Sequence, residues 1–104
     1  MYYNQRRGYG FDLWARKDDQ ALVVEVKSFL ETASTITLTS LEYDAANHHQ
    51  ANYLLVVVER INSDRPTIYV IQNPSEAISF TRRRTSEFTA PRSLWQPIAI
   101  NSLP

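Results

Sequence analysis

The stretch YLLVVVERI, residues 53–61, constrains the fold more strongly than any other part of the chain. It is almost continuously apolar and rich in β-branched side chains, which fit the pleated surface of a sheet. Apolar runs without alternation are typical of strands in the middle of a sheet with both faces covered. We therefore predict a buried central strand here, and the run is far too short to cross a bilayer as a helix.

Strand-like runs on either side of this segment extend the predicted sheet. FDLWAR, residues 11–16, and ALVVEVKSF, residues 21–29, are joined by the polar turn KDDQ and predict a hairpin. A short strand is expected towards the end of ETASTITLT, residues 31–39. After the central strand, the turn SDRP precedes a further strand, TIYVIQNP, which ends at Asn73 and Pro74.

A helix is predicted immediately before the central strand. Glu42 follows Thr39 at the spacing of a capping box, which marks the start of a helix. The helix should run from about Ser40 to Ala51, and helical spacing then aligns one side made of Leu41, Ala45, His48 and Ala51 or Asn52. We expect Glu42 to cap this helix; the alternative is that it projects towards the sheet as an accessory acid.

The C-terminal part of the chain gives weaker signals. SEAISF predicts a short helical turn, and TRRRTSEFTAPRS, residues 81–93, is typical of a loop. LWQPIAI, residues 94–100, is at best an edge strand, because Pro97 has no backbone N–H to donate. Taken together, the elements predict an α/β or α+β fold in which a mixed β-sheet carries a helix on one face.

Length and composition limit the class of protein. A chain of 104 residues is long enough for one compact domain, so we predict a single domain over residues 1–104. The absence of cysteine excludes disulfides and zinc sites built on thiolates. Eleven basic residues balance eleven acidic ones, so net charge does not indicate a nucleic-acid-binding protein. No stretch of signal-peptide type begins the sequence, and we expect a cytoplasmic, intracellular location with no membrane contact.

The predicted hairpin brings charged residues together. A turn centred between Asp18 and Asp19 places Asp12 opposite Glu25, and strand alternation then puts Asp12, Glu25 and Lys27 on one face. The other face would be apolar and available for packing, with Val24, Val26, Phe11 and Leu13. Directly opposed carboxylates repel each other, so an oxygen-binding cation such as Mg²⁺ would suit this position. The alternative is an ordinary charged solvent face, in which Lys27 neutralises its neighbours.

These residues also resemble a known family pattern. GFDLWARKDDQALVVEVKS resembles the Asp…(Asp/Glu)-x-Lys core of the PD-(D/E)XK nuclease superfamily, which has the restriction-endonuclease-like fold. Five blocks spanning residues 8–74 resemble, in order, the C-terminal domain family named after the plant protein NO VEIN, a relative of Mrr-type restriction domains: GFDL, VEVKS, ITLTSLEYDAA, NYLLVVVERI and IYVIQNP.

The resemblance implies a function and assigns roles. Asp12 and Glu25 would bind Mg²⁺ or Mn²⁺ together with the backbone carbonyl of Val26, and Lys27 would be the catalytic lysine. The implied reaction is hydrolysis of DNA phosphodiester bonds, in a restriction or phage-defence setting. Members of the superfamily usually carry a helix before the first core strand, so the resemblance implies a larger protein, or a second subunit, that supplies it; a homodimer is plausible. The alternative is a catalytically inactive nucleic-acid-binding or protein-interaction module on the same fold.

A basic cluster and several aromatic residues complete the candidates. Arg82, Arg83 and Arg84, with Arg92 further along, would contact a nucleic-acid backbone or form a solvated loop. Arg6 and Arg7 are the other basic pair. Trp14 and Trp95 are expected in a core or an interface rather than stacked on bases. His48 and His49 are adjacent on the predicted helix, so they point about 100° apart and should not bind one metal together.

Overall fold

The computed structural model describes residues 2–5, 10–84 and 86–101 and contains two sheets and three short α-helices within them. The strands are β1 (Tyr2–Gln5), β2 (Leu13–Lys17), β3 (Gln20–Ser28), β4 (Ile36–Thr39), β5 (Tyr53–Glu59), β6 (Thr67–Gln72), β7 (Thr81–Arg83), β8 (Glu87–Ala90) and β9 (Ile100–Asn101). The helices are α1 (Ser40–His49), α2 (Pro74–Ala77) and α3 (Arg92–Trp95), and a 3₁₀ turn (Gln50–Asn52) follows α1.

The larger sheet has six strands in the order β1-β2-β3-β5-β6-β9 and is called the main sheet below. β3 and β5 are parallel, connected through α1, and the remaining neighbours are antiparallel. A smaller antiparallel sheet has the order β4-β8-β7. The predicted mixed sheet with a packed helix is therefore confirmed. No helix of the described part of the chain is long and apolar enough to span a membrane.

The β2–β3 hairpin has the predicted register. Leu13 pairs with Val24 and Lys17 pairs with Gln20, so the turn falls at Asp18 and Asp19. Asp18 adopts a positive φ of 56°, a conformation that aspartate tolerates better than most residues. β2 begins at Leu13 instead of residue 11, because the chain bends at the residue before it.

The hairpin pattern predicted that the face with Val24 and Val26 packs against the core. The structure instead buries the opposite face of the main sheet. Odd-numbered residues of β5, from Tyr53 to Glu59, are buried, and so are Val23 and Glu25 on β3. Val24 and Val26 are only half-buried, and Phe11 packs on the side of Val23. The prediction of which face packs was wrong, because alternation separates two faces without identifying the covered one.

Helix α1 begins as predicted, but its buried side differs. The Thr39 hydroxyl accepts the Glu42 N–H at 3.1 Å, and the Glu42 carboxylate accepts the Thr39 N–H at 2.9 Å, which completes a capping box. Ala45 and Ala46 are buried against the sheet, whereas Leu41 is 48% exposed. Small side chains at the contact let helix and sheet approach closely. Of the side predicted from helical spacing, Ala45 is therefore confirmed as buried, whereas Leu41, His48, Ala51 and Asn52 are exposed.

Gly10 is part of the same close approach. Its φ of +82° is unfavourable for other residues, and a side chain there would collide with the Leu41 carbonyl and the Ala45 side chain. The segment leading into β2 therefore lies directly against α1.

The C-terminal part contains more structure than the sequence indicated. The predicted turn at SEAISF is present as α2, but most of the predicted loop at residues 81–93 forms β7 and β8. β8 pairs with β4 on one side and with β7 on the other. α3 then places Trp95 in the core, fully buried as predicted, and β9 is a two-residue edge strand next to β6.

Candidate functional site

The site begins with two charged residues on β3. Glu25 and Lys27 are two positions apart, so both side chains point to the covered face of the main sheet. Glu25 is 4% exposed, which is unusual for a carboxylate. The Lys27 ammonium lies 3.5 Å from the Glu25 carboxylate.

Helix α1 contributes a third charged group. The Glu42 carboxylate accepts a hydrogen bond from the Lys27 ammonium at 2.9 Å, and the same oxygen accepts the Thr39 N–H of the capping box. Glu42 thus caps the helix as predicted and also reaches the charged face, while its role as an accessory acid stays a prediction. The capping spacing located this carboxylate in the sequence, whereas its contact with Lys27 depends on how helix and strand pack.

Asp12 joins the site from the bend before β2. Its carboxylate accepts the Val26 N–H at 2.9 Å, and its own N–H donates to the Val24 carbonyl at 2.9 Å. The Asp12 carboxylate therefore accepts the backbone N–H of Val26, a bond that a neighbouring strand would otherwise make, and it lies next to Glu25. The sequence predicted a regular cross-strand pair at this position; the structure brings the two residues together through a bend.

Burial and neighbouring charges shift the pKa values of groups in this site. Burial and the nearby Glu42 and Asp12 carboxylates together raise the pKa of Glu25 to about 8, while Lys27 acts in the opposite direction. Burial, followed by the same three carboxylates, also raises the pKa of Tyr53. The Tyr53 hydroxyl donates to the Gly10 carbonyl at 2.8 Å, which links the floor of the site to the segment before β2.

The donor set suits a hard divalent cation. Asp12, Glu25 and Glu42 supply only oxygen atoms, and a bound cation would favour the ionised form of Glu25, whose pKa is raised by burial and by the other two carboxylates. Among the residues with described side chains, no three acidic or histidine groups are already arranged as a complete metal cluster. Water would therefore supply part of the coordination, as is usual for Mg²⁺. The role of the Val26 carbonyl stays a prediction.

A cleft opens beside Lys27. It has a volume of about 310 Å³ and lies between the end of β3 and the segment leading into β4. Its lining combines the lysine with hydroxyl groups and apolar atoms: Val26, Lys27, Ser28, Phe29, Thr35 and Thr37. A polar substrate that entered this cleft would meet the ammonium group directly.

The predicted basic cluster lies on the other sheet. Arg82, Arg83 and Arg84 are exposed at β7 and the turn after it, and the Arg82 guanidinium lies 5.8 Å from the Phe88 ring. Arg92 has a different position, since it forms an ion pair with the buried Glu59. Arg6 and Arg7 lie outside the described residues.

The remaining candidates, Trp14, His48 and His49, contact other side chains of the fold. Trp14 packs against the small core around Val23. The rings of His48 and His49 meet edge to face with centroids 4.9 Å apart, and His49 also contacts Phe11 at 5.8 Å. Burial and the neighbouring His48 lower the pKa of His49.

Comparisons with known proteins identify the family and a similar fold. The family described as "Protein NO VEIN, C-terminal" matches residues 2–71. The solved structure of the Holliday junction resolvase Hjc from the archaeal hyperthermophile Archaeoglobus fulgidus is similar in fold, with a TM-score of 0.58 and 14% sequence identity. The match covers 96% of this chain and 76% of the resolvase chain. It confirms the predicted restriction-endonuclease-like fold. A search of curated proteins gives no significant match.

Proposed function

Because the chain belongs to the family of NO VEIN C-terminal domains, we propose that it is a divalent-metal-dependent nuclease domain that hydrolyses DNA phosphodiester bonds. One observation carries the proposal: a nearly buried carboxylate, Glu25, has two further carboxylates and a single lysine around it. Burial and the neighbouring carboxylates raise the pKa of Glu25, and a divalent cation bound among these oxygens would favour its ionised form, so the cluster is suited to hold one.

Asp12 and Glu25 would hold the metal, with the Val26 carbonyl as a further oxygen ligand. Asp12 is fixed by the Val26 N–H, and Glu25 is fixed by its position on β3. Glu42 lies across Lys27 from these two residues. A bound Mg²⁺ or Mn²⁺ would polarise the phosphate and lower the pKa of an attacking water.

Lys27 is the group that faces the reacting phosphate in this proposal. Two carboxyl groups hold its ammonium in place, at 3.5 Å from Glu25 and 2.9 Å from Glu42. It also lines the open cleft. As the bond between water oxygen and phosphorus forms and the bond to the leaving nucleotide oxygen breaks, negative charge grows on the phosphate oxygens, and the ammonium stabilises it.

Exposed basic side chains would hold DNA in addition to the cleft beside Lys27. The exposed Arg82, Arg83 and Arg84 would contact phosphates without reading sequence. The biological setting that we propose is restriction or phage defence, with the domain acting as a module of a larger protein or as a homodimer in the cytoplasm. The Hjc resolvase, whose name refers to DNA junctions, supports a DNA substrate through its fold alone.

Plasmid cleavage tests the proposal. Wild type, Asp12→Ala and Lys27→Ala are incubated with supercoiled plasmid and Mg²⁺ or Mn²⁺, with and without chelator. We expect metal-dependent nicking by the wild type and its loss in both variants. Asp44→Ala, an exposed acidic residue on α1, is the matched control and should cleave normally.

The same experiment separates the alternatives. If the wild type binds DNA but never cleaves it, the domain is a nucleic-acid-binding module and the catalytic proposal fails. Absence of DNA binding even at low salt would indicate a protein-interaction role. Cleavage that survives in Lys27→Ala would remove the lysine from the mechanism.

A further inference from the structure

The smaller sheet has two faces of opposite character. In strands β4, β8 and β7, paired residues point to the same side of the sheet. One side is closed by the core, in which Ile36, Leu38 and Ala90 are fully buried. On this side Phe88 also stacks on Tyr43 of α1, with ring centroids 3.8 Å apart. The other side of these three strands carries only polar residues, and we call it the polar face: Thr37, Thr39, Thr81, Arg83, Glu87 and Thr89.

Three threonines form a continuous row across the polar face, which we call the threonine row. Thr37 pairs with Thr89, and Thr89 pairs with Thr81, so the row crosses all three strands of the smaller sheet. Thr81 is exposed, and Thr37 and Thr89 are half-buried. Because neighbouring strands lie about 4.8 Å apart, the row is roughly 10 Å long. That length corresponds to about three nucleotides of a DNA strand, at a rise of about 3.4 Å each.

The threonine row begins at the cleft of the candidate site. Thr37 lines this cleft together with Lys27, and Thr35 and Ser28 add further hydroxyl groups to its wall. The polar face is therefore continuous with the surface on which the phosphate would react. A DNA strand that leaves the cleft along the smaller sheet would meet the polar face, because the closed side of this sheet is packed against the core.

An arginine marks the other end of the threonine row. Arg83 lies two positions after Thr81 on β7, so both side chains point to the polar face. Arg82 points to the closed side, where its guanidinium lies 5.8 Å from the Phe88 ring. Alternation along β7 thus separates two neighbouring arginines, and only the second belongs to the polar face. Glu87 lies opposite Arg83, beside the threonine row, and is the single acidic member of the polar face.

The Thr89 hydroxyl, in the middle of the row, is weakly engaged within the fold. It donates to the Thr81 carbonyl at 3.5 Å, whereas a good O–H···O hydrogen bond measures about 2.7–2.8 Å. A phosphate oxygen is a stronger acceptor than this carbonyl, because hydrogen bonds to charged groups are shorter and stronger. Threonine hydroxyls commonly donate to phosphates in protein–DNA complexes, and such contacts do not read sequence. The row is therefore suited to a phosphate backbone.

We propose that the threonine row holds the backbone of one DNA strand between the cleft beside Lys27 and Arg83. This inference rests on the proposed nuclease function, which supplies the DNA and its entry at the cleft. The hydroxyl groups of Thr37, Thr89 and Thr81 donate to phosphate oxygens, and the Arg83 guanidinium pairs with a phosphate at the far end of the row. The contacts are made to one strand and are independent of its sequence.

DNA binding without cleavage tests the proposal. Fluorescence anisotropy of a labelled duplex is measured with Ca²⁺ in place of Mg²⁺, and a gel shows whether the DNA stays intact. Thr81→Val combined with Thr89→Val removes two hydroxyl groups at nearly constant shape. The dissociation constant of this double variant should rise at least about tenfold. Circular dichroism shows whether the variant is folded.

Charge substitutions give a second test that does not depend on the folding of the double variant. Thr89→Lys places a cation in the middle of the row and should steepen the slope of log affinity against log salt by about one. Asn52→Lys adds the same charge at the end of β5 that lies away from the cleft, and it should leave the slope unchanged. Arg83→Ala should reduce the slope by about one, and by more than Arg82→Ala does.

The outcomes separate this inference from the nuclease activity. If the wild type binds and cleaves DNA while the double variant keeps full affinity and Thr89→Lys leaves the slope unchanged, the polar face is only a solvated surface and the inference is overturned. Equal effects of Arg82→Ala and Arg83→Ala on the slope would also overturn it. A wild type without affinity for DNA would instead overturn the proposed function itself, and this inference with it.

Discussion

Two buried glutamates show how differently one fold can treat the same side chain. Glu59 on β5 is 1% exposed and Glu25 on β3 is 4% exposed. Glu59 accepts the Ala33 N–H at 2.8 Å and is paired with the Arg92 guanidinium. Glu25 has the Lys27 ammonium at 3.5 Å and a side-chain hydrogen bond with Glu42, and the Asp12 carboxylate is close by.

The surroundings of Arg92 complete the contrast. Its guanidinium also donates to the Ala33 carbonyl at 2.7 Å and to the Tyr69 hydroxyl at 3.3 Å, and it lies 5.1 Å from the Trp95 ring. The hydrogen bond to Glu59 raises the pKa of Arg92. A buried carboxylate with this set of partners holds the C-terminal segment on the sheet. A buried carboxylate without them is a candidate for binding something that is not part of the chain.

The largest expected effect on stability concerns Glu59, the glutamate that is paired with Arg92. Glu59→Ala leaves the buried Ala33 N–H without an acceptor and removes the partner of the Arg92 guanidinium, whose side chain is 36% exposed. Loss of these two hydrogen bonds should cost about 3–4 kcal/mol together. Urea unfolding should show this loss in the free energy of unfolding. Glu76→Ala, an exposed glutamate in α2, is the control and should change it by less than about 0.5 kcal/mol. If the two variants were equally stable, Glu59 would have no special structural role.

The next effect concerns Glu25 and is a change of folding stability with pH. Because the folded state holds the Glu25 proton up to about pH 8 while the unfolded carboxyl loses it near 4.5, stability falls as pH rises between these values. The slope is at most about 1.4 kcal/mol per pH unit.

Glu25→Gln isolates that contribution. It cannot ionise, so its stability relative to the wild type should increase by about 3 kcal/mol between about pH 5 and pH 8, as measured by denaturant unfolding at each pH. A difference that stays constant with pH would mean that Glu25 is ionised throughout and that its environment is compensated after all.

The smallest effect concerns charges that are not buried. Replacing Arg82, Arg83 and Arg84 together by alanine should leave stability nearly unchanged, because all three are exposed. The proposed DNA contacts predict that the slope of log affinity against log salt decreases by about one for each arginine that contacts a phosphate. An unchanged slope in fluorescence anisotropy titrations would place the DNA elsewhere.

Local signals predicted those parts of the fold that depend on neighbours in sequence. The turn at Asp18 and Asp19 determined the hairpin register, and the spacing of Thr39 and Glu42 located the start of α1. Alternation along β3 was enough to place Glu25 and Lys27 together.

The features that were missed depend on distant partners. β7 and β8 contain few typical strand residues and form because β4 lies beside β8. The contact of Glu42 with Lys27 depends on the packing of α1 on the sheet, and the Glu59–Arg92 pair joins segments far apart in the chain. A residue pattern that alternates is also the same whichever face becomes covered, which is why the packing face was assigned wrongly.

Binding of Mn²⁺ to the DNA-free protein tests the central claim most directly. Calorimetry at about pH 8 should detect one site in the wild type, and the site should be lost in both Asp12→Ala and Glu25→Gln. Asp44→Ala should bind as the wild type does. No binding to the wild type, or equal binding to Glu25→Gln, would contradict the proposal that the uncompensated glutamate and its neighbours form a metal centre.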